Sequence, residues 1–113
     1  DAQEIIGSCG YYGFHPWHRR ASIGYELARP FWRQGIMTEA LQAVIGLGFR
    51  EMGLNRIEAV VLPENYASIK LLEKLGFRNE GLLHEYENWD SKGFMDVCML
   101  SVLRKTWDGP FPG

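Results

Sequence analysis

The chain of 113 residues is long enough for one domain and too short for two. Its formal net charge of −2 excludes the strongly basic surface that nucleic acid or an anionic membrane requires. Its apolar stretches are far too short to span a bilayer, yet 46% hydrophobic and 13% aromatic residues suffice for a packed core. Cys9 and Cys98 form no CxxC pair and sit in apolar, strand-like surroundings, which fits two reduced, buried thiols in a cytoplasmic protein.

In chain order, residues 5–14 (IIGSCGYYGF) read as a strand. Residues 15–20 (HPWHRR) are a polar, proline-bearing connection whose His15, Trp17 and His18 are expected at the surface. Residues 21–27 (ASIGYEL) are a second strand, hairpin-paired with the first and stopped by Pro30. A helix follows over residues 36–52. Met37, Leu41, Val44, Ile45, Gly48 and Met52 recur at steps of three and four, one buried stripe, and Gly53 is placed to cap its end. Gly46 and Gly48 cost the helix stability relative to alanine, and close packing on a sheet is sufficient reason for them.

Residues 56–62 (RIEAVVL) are a third strand, closed by Pro63. Asn65 is placed to cap a short helix over residues 66–75, with Ile69, Leu72 and Leu75 inward and Gly76 at its end. Residues 77–88 are mostly strand, 89–93 (WDSKG) a turn, and 94–103 (FMDVCMLSVL) a last strand. The tail from 104 to 113 is rich in proline and glycine and expected to be loose. The order β-β-α-β-α-β-β predicts an α/β (α+β) fold: a mixed, mostly antiparallel twisted sheet with two packed helices. The domain spans residues 1–107, with 108–113 a flexible tail.

The stretch FWRQGIMTEA, residues 31–40, sets Gly35 at the mouth of the longer helix. A helix start carries unpaired N–H groups and partial positive charge, which attract phosphate. Glycine lets a ligand approach the backbone with no Cβ in the way, Arg33 can add a full charge, and Thr38 a hydroxyl. A plain strand-to-helix connection containing a glycine fits the spacing equally well.

IGYEL followed by PFWRQGIMTEAL, then RIEAVVLPENYASIKLLEKLGF, and finally EGLLHEY and KGFMDVCMLSVL, together resemble the GNAT superfamily of acyl-CoA N-acyltransferases. The resemblance is strongest to its RimJ/RimL-type branch, which acetylates protein N-termini and related amines, and it runs from residue 5 to residue 107. It implies acetyl-CoA as cosubstrate and no metal. The pyrophosphate would lie on backbone amides of Arg33, Gln34, Gly35, Ile36, Met37 and Thr38. The strand before that loop would splay from the next, so that backbone groups of Tyr25, Glu26 and Leu27 pair with the pantetheine arm. Asn65 matches a family asparagine that bonds the arm, a role compatible with capping. The chain departs from the family loop in having Trp32 at its first position, Arg33 for a frequent glycine and Met37 at the last small position. It also has Leu72 where many members carry a tyrosine that protonates the leaving thiolate.

The implied reaction is direct attack of a neutral amine on a thioester. An α-amino group, with a pKa of about 8, is closer to readiness at neutral pH than a lysine near about 10.4. Glu26 matches the catalytic glutamate of some members and would act as base through a water; it equally suits a solvent-facing strand position. Ser68 and Tyr66 are the candidates for the missing acid, and water is the alternative. His84, Glu85, Tyr86 and Glu87 lie on the strand that usually flanks the acceptor, with His84 and Tyr86 expected on one face as substrate-binding residues and the two glutamates on the other. Asp96 is expected to be structural, bonding neighbouring backbone. No His/Cys/Asp cluster has metal spacing.

The expected function is therefore acetyl transfer to a primary amine, a protein N-terminus in the first instance. A polyamine, amino sugar or antibiotic acceptor, or a non-catalytic acyl-CoA-binding module, are the alternatives. In the family, two strands and a helical region precede the element at residues 5–14. Without them that strand would be an exposed edge, and either a homo-oligomer formed through it or a longer protein of which this chain is a part is expected.

Overall fold

The computed structural model describes residues 7–27 and 36–107. Its elements are β1 (Gly7–His15), β2 (Arg20–Leu27), α1 (Ile36–Arg50), β3 (Arg56–Val61), α2 (Tyr66–Lys74), β4 (Arg78–Asn88) and β5 (Phe94–Leu103). The five strands form one sheet in the order β1-β2-β3-β5-β4. Among the described strands, only the β2–β3 pair is parallel. The mixed sheet with two helices is the architecture the sequence predicts.

Alternation sorts the sheet into two faces. Ala21 and Ile23 of β2, Ile57, Ala59 and Val61 of β3, and Leu100 and Val102 of β5 join one apolar cluster with the helices. From α1 come Met37, Leu41, Ile45 and Phe49, one residue per turn, and from α2 Leu72. The expected stripe is correct at its start and wrong at its end. Met52 lies past the helix and is 36% exposed, whereas Phe49 is fully buried. The helix closes two residues early: Gly53 takes a left-handed φ of 66°, and the N–H of Leu54 bonds the carbonyl of Gly48 at 3.0 Å. Arg104 then donates its guanidinium to the carbonyls of Phe49 and Leu54, placing a cation at the negative end of α1.

Residues 104–107 are not loose. Trp107 is 6% exposed and packs on Phe49 with ring centroids 5.6 Å apart. A tilted ring contact in the core outweighs the breaker composition just beyond; residues 108–113 lie outside the described residues. Cys98 is a free thiol, half-buried rather than buried, and packs on the same core.

The helix-free face carries a charged ladder across three strands. Arg56 on β3 bonds Glu58 at 2.7 Å and grips both carboxylate oxygens of Glu80 on β4, at 2.8 and 2.6 Å. Ser101 of β5 donates to the same carboxylate at 2.5 Å, which satisfies the hydroxyl of a residue only 4% exposed. The guanidinium, and after it the Ser101 hydroxyl, hold the Glu80 carboxyl down at about 2.

Candidate active site

The β2–β3 ladder is short. Arg20 pairs with Arg56, Ala21 with Ile57 and Ser22 with Glu58, and there the pairing ends. Yet β2 runs on to Leu27 and β3 to Val61. Beyond Ser22, β2 stays with β1, to which it is paired as far as Gly7 and Leu27, while β3 stays with β5. The strands therefore diverge, and a cleft of about 250 Å³ opens between them. From the helix side, Ile23, Ala59, Val61, Asn65 and Ser68 line it; from the other side come Tyr12, Gly24, Val60, Glu87, Trp89 and Val97.

Each wall has a local cause. Asn65 precedes α2, and its Oδ1 accepts the N–H of Ser68 at 3.2 Å, a capping bond that also fixes the Ser68 position. The amide nitrogen of Asn65 remains able to donate at the cleft. On the opposite wall the Tyr12 ring lies over Gly24, where a Cβ would come within 3.3 Å of the ring. Burial raises the Tyr12 hydroxyl above its ordinary pKa, and the Glu87 carboxylate adds to the rise. The Ser22 hydroxyl opposes the rise through a hydrogen bond, and Tyr86 and Glu58 reinforce it. The Trp89 indole N–H donates to Glu87 Oε1 at 3.0 Å, and the Lys92 ammonium sits 5.9 Å from the Trp89 ring.

Glu87 reaches the cleft through an irregularity in β4. Leu83 pairs with Val97 and Glu87 with Met95, so β4 uses four residues where β5 uses two. Within that bulge Glu85 has a left-handed φ of 48°. The regular alternation expected across residues 84–87 is therefore not kept. His84 is turned to Asp96, its Nδ1 3.3 Å from Oδ2, and Tyr86 is 55% exposed. Neither residue lines the cleft. Asp96 accepts the backbone N–H of Glu85 at 2.8 Å, the structural role expected of it. That bond, and then His84, lower the Asp96 pKa.

Of the other expected site residues, Ser68 and Asn65 meet at the cleft. Tyr66 does not: it is 69% exposed and lines a separate groove with Pro63, Glu64, Phe94, Met95 and Asp96. Tyr25, Glu26 and Leu27 are placed by backbone on the diverging end of β2, paired with Cys9, Ser8 and Gly7. Ile36, Met37 and Thr38 open α1, with Met37 buried in the core. Arg33, Gln34 and Gly35 lie outside the described residues. Leu72, where many family members carry tyrosine, is fully buried. Sequence reasoning missed Tyr12 and Trp89, and it grouped Glu87 with Glu85. Among the described residues, no group of three or more His, Cys, Asp or Glu is placed to hold a metal, and no helix is long and apolar enough to cross a membrane.

A sheet that parts between a central parallel pair beside two helices is a fold with known relatives. The model of the acetyltransferase (GNAT) domain matches residues 1–78. The chain belongs to the GNAT acetyltransferase family. An uncharacterised N-acetyltransferase of Bacillus licheniformis, p20, is 46% identical to this GNAT chain over 110 residues, covering 96% of it and 61% of p20. The ribosomal protein uS5-alanine N-acetyltransferase of Escherichia coli is 34% identical over 112 residues, covering 95% of this chain and 55% of that protein. Mycobacterium smegmatis RimJ, solved in complex with CoA-disulfide, superposes with a TM-score of 0.82 at 35% identity, covering 90% of this chain and 49% of that one. This GNAT chain thus spans 61% and 55% of the length of these two curated relatives.

Proposed function

We propose that the protein transfers an acetyl group from acetyl-CoA to a primary amine, with the α-amino group of a polypeptide as the preferred acceptor. The observation that carries this reading is the cleft at the β2–β3 divergence, with hydrogen-bonding groups on its α2 side and a carboxylate on the other. Backbone groups of β2 beyond Ser22 have no β3 partner, which suits them to a β-like amide arm. Asn65 can donate to that arm while its oxygen caps α2.

Acetyl-CoA supplies an acyl carbon activated as a thioester. The chain's own groups then manage protons. An amine entering from the helix-free side meets Glu87, held by the Trp89 indole, between Tyr12 and Val97. An aromatic wall with a carboxylate favours a cationic group. Glu87 lines the cleft among the described side chains, and it takes the proton the amine must lose, directly or through a water. The amine nitrogen bonds the acyl carbon, the carbon–sulfur bond breaks, and the thiolate takes a proton from solvent relayed through the hydroxyl of Ser68, a lining residue of the cleft. The acceptor preference rests on the lower pKa of an α-amine and on the E. coli relative, whose name states an alanine acceptor on a ribosomal protein.

The test is thiol release from acetyl-CoA with an alanine-initiated peptide, spermidine, glucosamine and no acceptor, read together with product mass. Acetylation of the peptide terminus is expected. Acetylation of a small amine alone would overturn the acceptor preference, and coenzyme binding without thiol release from any acceptor would overturn the enzyme reading.

A further inference from the structure

The Glu85 bulge is an expensive feature with no evident packing reward. A non-glycine residue at φ 48° is strained, and the stretch from His84 to Tyr86 is largely exposed. Bulges that re-aim a side chain beside a functional site are a recurrent use of such strain. Two anchors hold the segment. On one side Asp96 of β5 takes the Glu85 N–H at 2.8 Å and faces His84 Nδ1 at 3.3 Å. On the other, the hairpin closes through the Trp89 N–H to the Gly93 carbonyl at 2.8 Å, and the Trp89 indole holds Glu87 at 3.0 Å. Between the anchors, the two inserted residues make Glu87, and not Glu85, the partner of Met95.

We infer that Asp96 is a positioning residue: by clamping the bulge from the neighbouring strand it sets the β4 register that aims Glu87 into the cleft. Asp96 lines the outer groove with Tyr66 and Phe94 and does not line the cleft, so its action runs through the backbone of Glu85. The inference rests on the reading of Glu87 as proton acceptor. It adds that a carboxylate outside the cleft controls the alignment of the one inside. Displacing a reacting group by an ångström costs up to about a hundredfold in rate, and removing a general base costs on the order of a hundredfold or more.

The experiment compares kcat and the acetyl-CoA KM of the intact protein with those of Glu87→Gln, Asp96→Ala, Asp96→Asn and the Glu87→Gln/Asp96→Ala double variant. Glu87→Gln is expected to lower kcat on the order of a hundredfold. Asp96→Ala is expected to lower kcat by about tenfold or more with the acetyl-CoA KM unchanged. Asp96→Asn keeps an acceptor oxygen for the Glu85 N–H and is expected to restore most of the rate. In the Glu87→Gln background, Asp96→Ala is expected to add no further loss, which a general weakening of the fold would not reproduce. If the alanine variant does not fold, Asp96→Val, suited to a strand and lacking an acceptor, takes its place. An inactive Glu87→Gln beside a fully active Asp96→Ala overturns the positioning role alone, as does an undiminished second loss in the double variant. A fully active Glu87→Gln overturns the proton-acceptor reading and this inference with it.

Discussion

Gly48 on α1 offers a sharp trial of the packing between helix and sheet. A Cβ built there would stand 2.4 Å from the Tyr11 hydroxyl oxygen, 2.8 Å from the ring carbon bearing it and 3.0 Å from Leu54 Cδ1. The tyrosine cannot simply step aside, because its hydroxyl donates to the Val44 carbonyl at 2.6 Å and the ring is rigid. Gly48→Ala therefore pits two effects against each other. Alanine in place of glycine within a helix gains about 1 kcal/mol. Overpacking costs about 1–3 kcal/mol, and loss of the Tyr11–Val44 bond about 1 kcal/mol more. Sterics win, leaving a net destabilisation of about 1–3 kcal/mol, or about 4–15 °C in Tm for a domain of this size. Thermal unfolding followed by circular dichroism reads this directly. The same substitution made on a Tyr11→Ala background should turn neutral or stabilising, since the closer obstacle is gone, the remaining one is the methyl end of a flexible Leu54 side chain, and the helix preference remains. A rise in Tm for Gly48→Ala with Tyr11 in place would refute the reasoning.

Asn65 separates two roles by chemistry. Asn65→Asp keeps the oxygen that caps Ser68 N and should hold Tm while raising the acetyl-CoA KM, whereas Asn65→Ala should lose about 1 kcal/mol of stability as well. Equal KM values for asparagine and aspartate would assign the residue to capping alone. Glu80 governs an acid limb. Its folded pKa of about 2 lies below the ordinary 4.5, so its stabilisation is present above pH 4.5 and drains away as pH falls toward 2. The full linkage of about 3 kcal/mol is reduced to about 1 kcal/mol by solvent at a side chain 37% exposed. Chemical denaturation of Glu80→Gln between pH 5 and 2 should show a flatter loss than the parent protein, and parallel curves would remove the ladder from the account.

How legible the molecule was in its residues depended on whether the signal was periodic or relational. The last strand, residues 94–103, is found where its alternation and flanking glycine put it. Asn65 caps α2, and Gly53 and Gly76 carry the positive φ expected at helix ends. Those signals are local, and each residue type has one physical use at such a place. Phe49 was missed in favour of Met52 because both fall near the apolar stripe, and only the end of α1 decides which lies inside the helix. The Arg56–Glu80 grip and the Phe49–Trp107 ring contact join residues far apart in the chain, and no short pattern announces such partners. Glu87 was hidden by the bulge. The two-residue insertion leaves Glu87 on the face a period of two assigns but moves it along the strand to sit opposite Met95 in place of Glu85, and the residue that bonds the bulge, Asp96, lies on another strand.

Among the described residues, three ladder pairs and the Arg19 carbonyl, which accepts the N–H groups of Asn55 and Arg56, carry the backbone pairing between the β1–β2 hairpin and the other three strands. The sheet is thus two leaves on a short parallel hinge. What keeps the leaves at a fixed angle is the apolar cluster in which α1 side chains meet residues from both. The width of the opening is consequently governed by helix packing more than by strand bonding. Substitutions deep in the core, remote from any reacting group, act on the gap between the leaves as surely as substitutions in its walls.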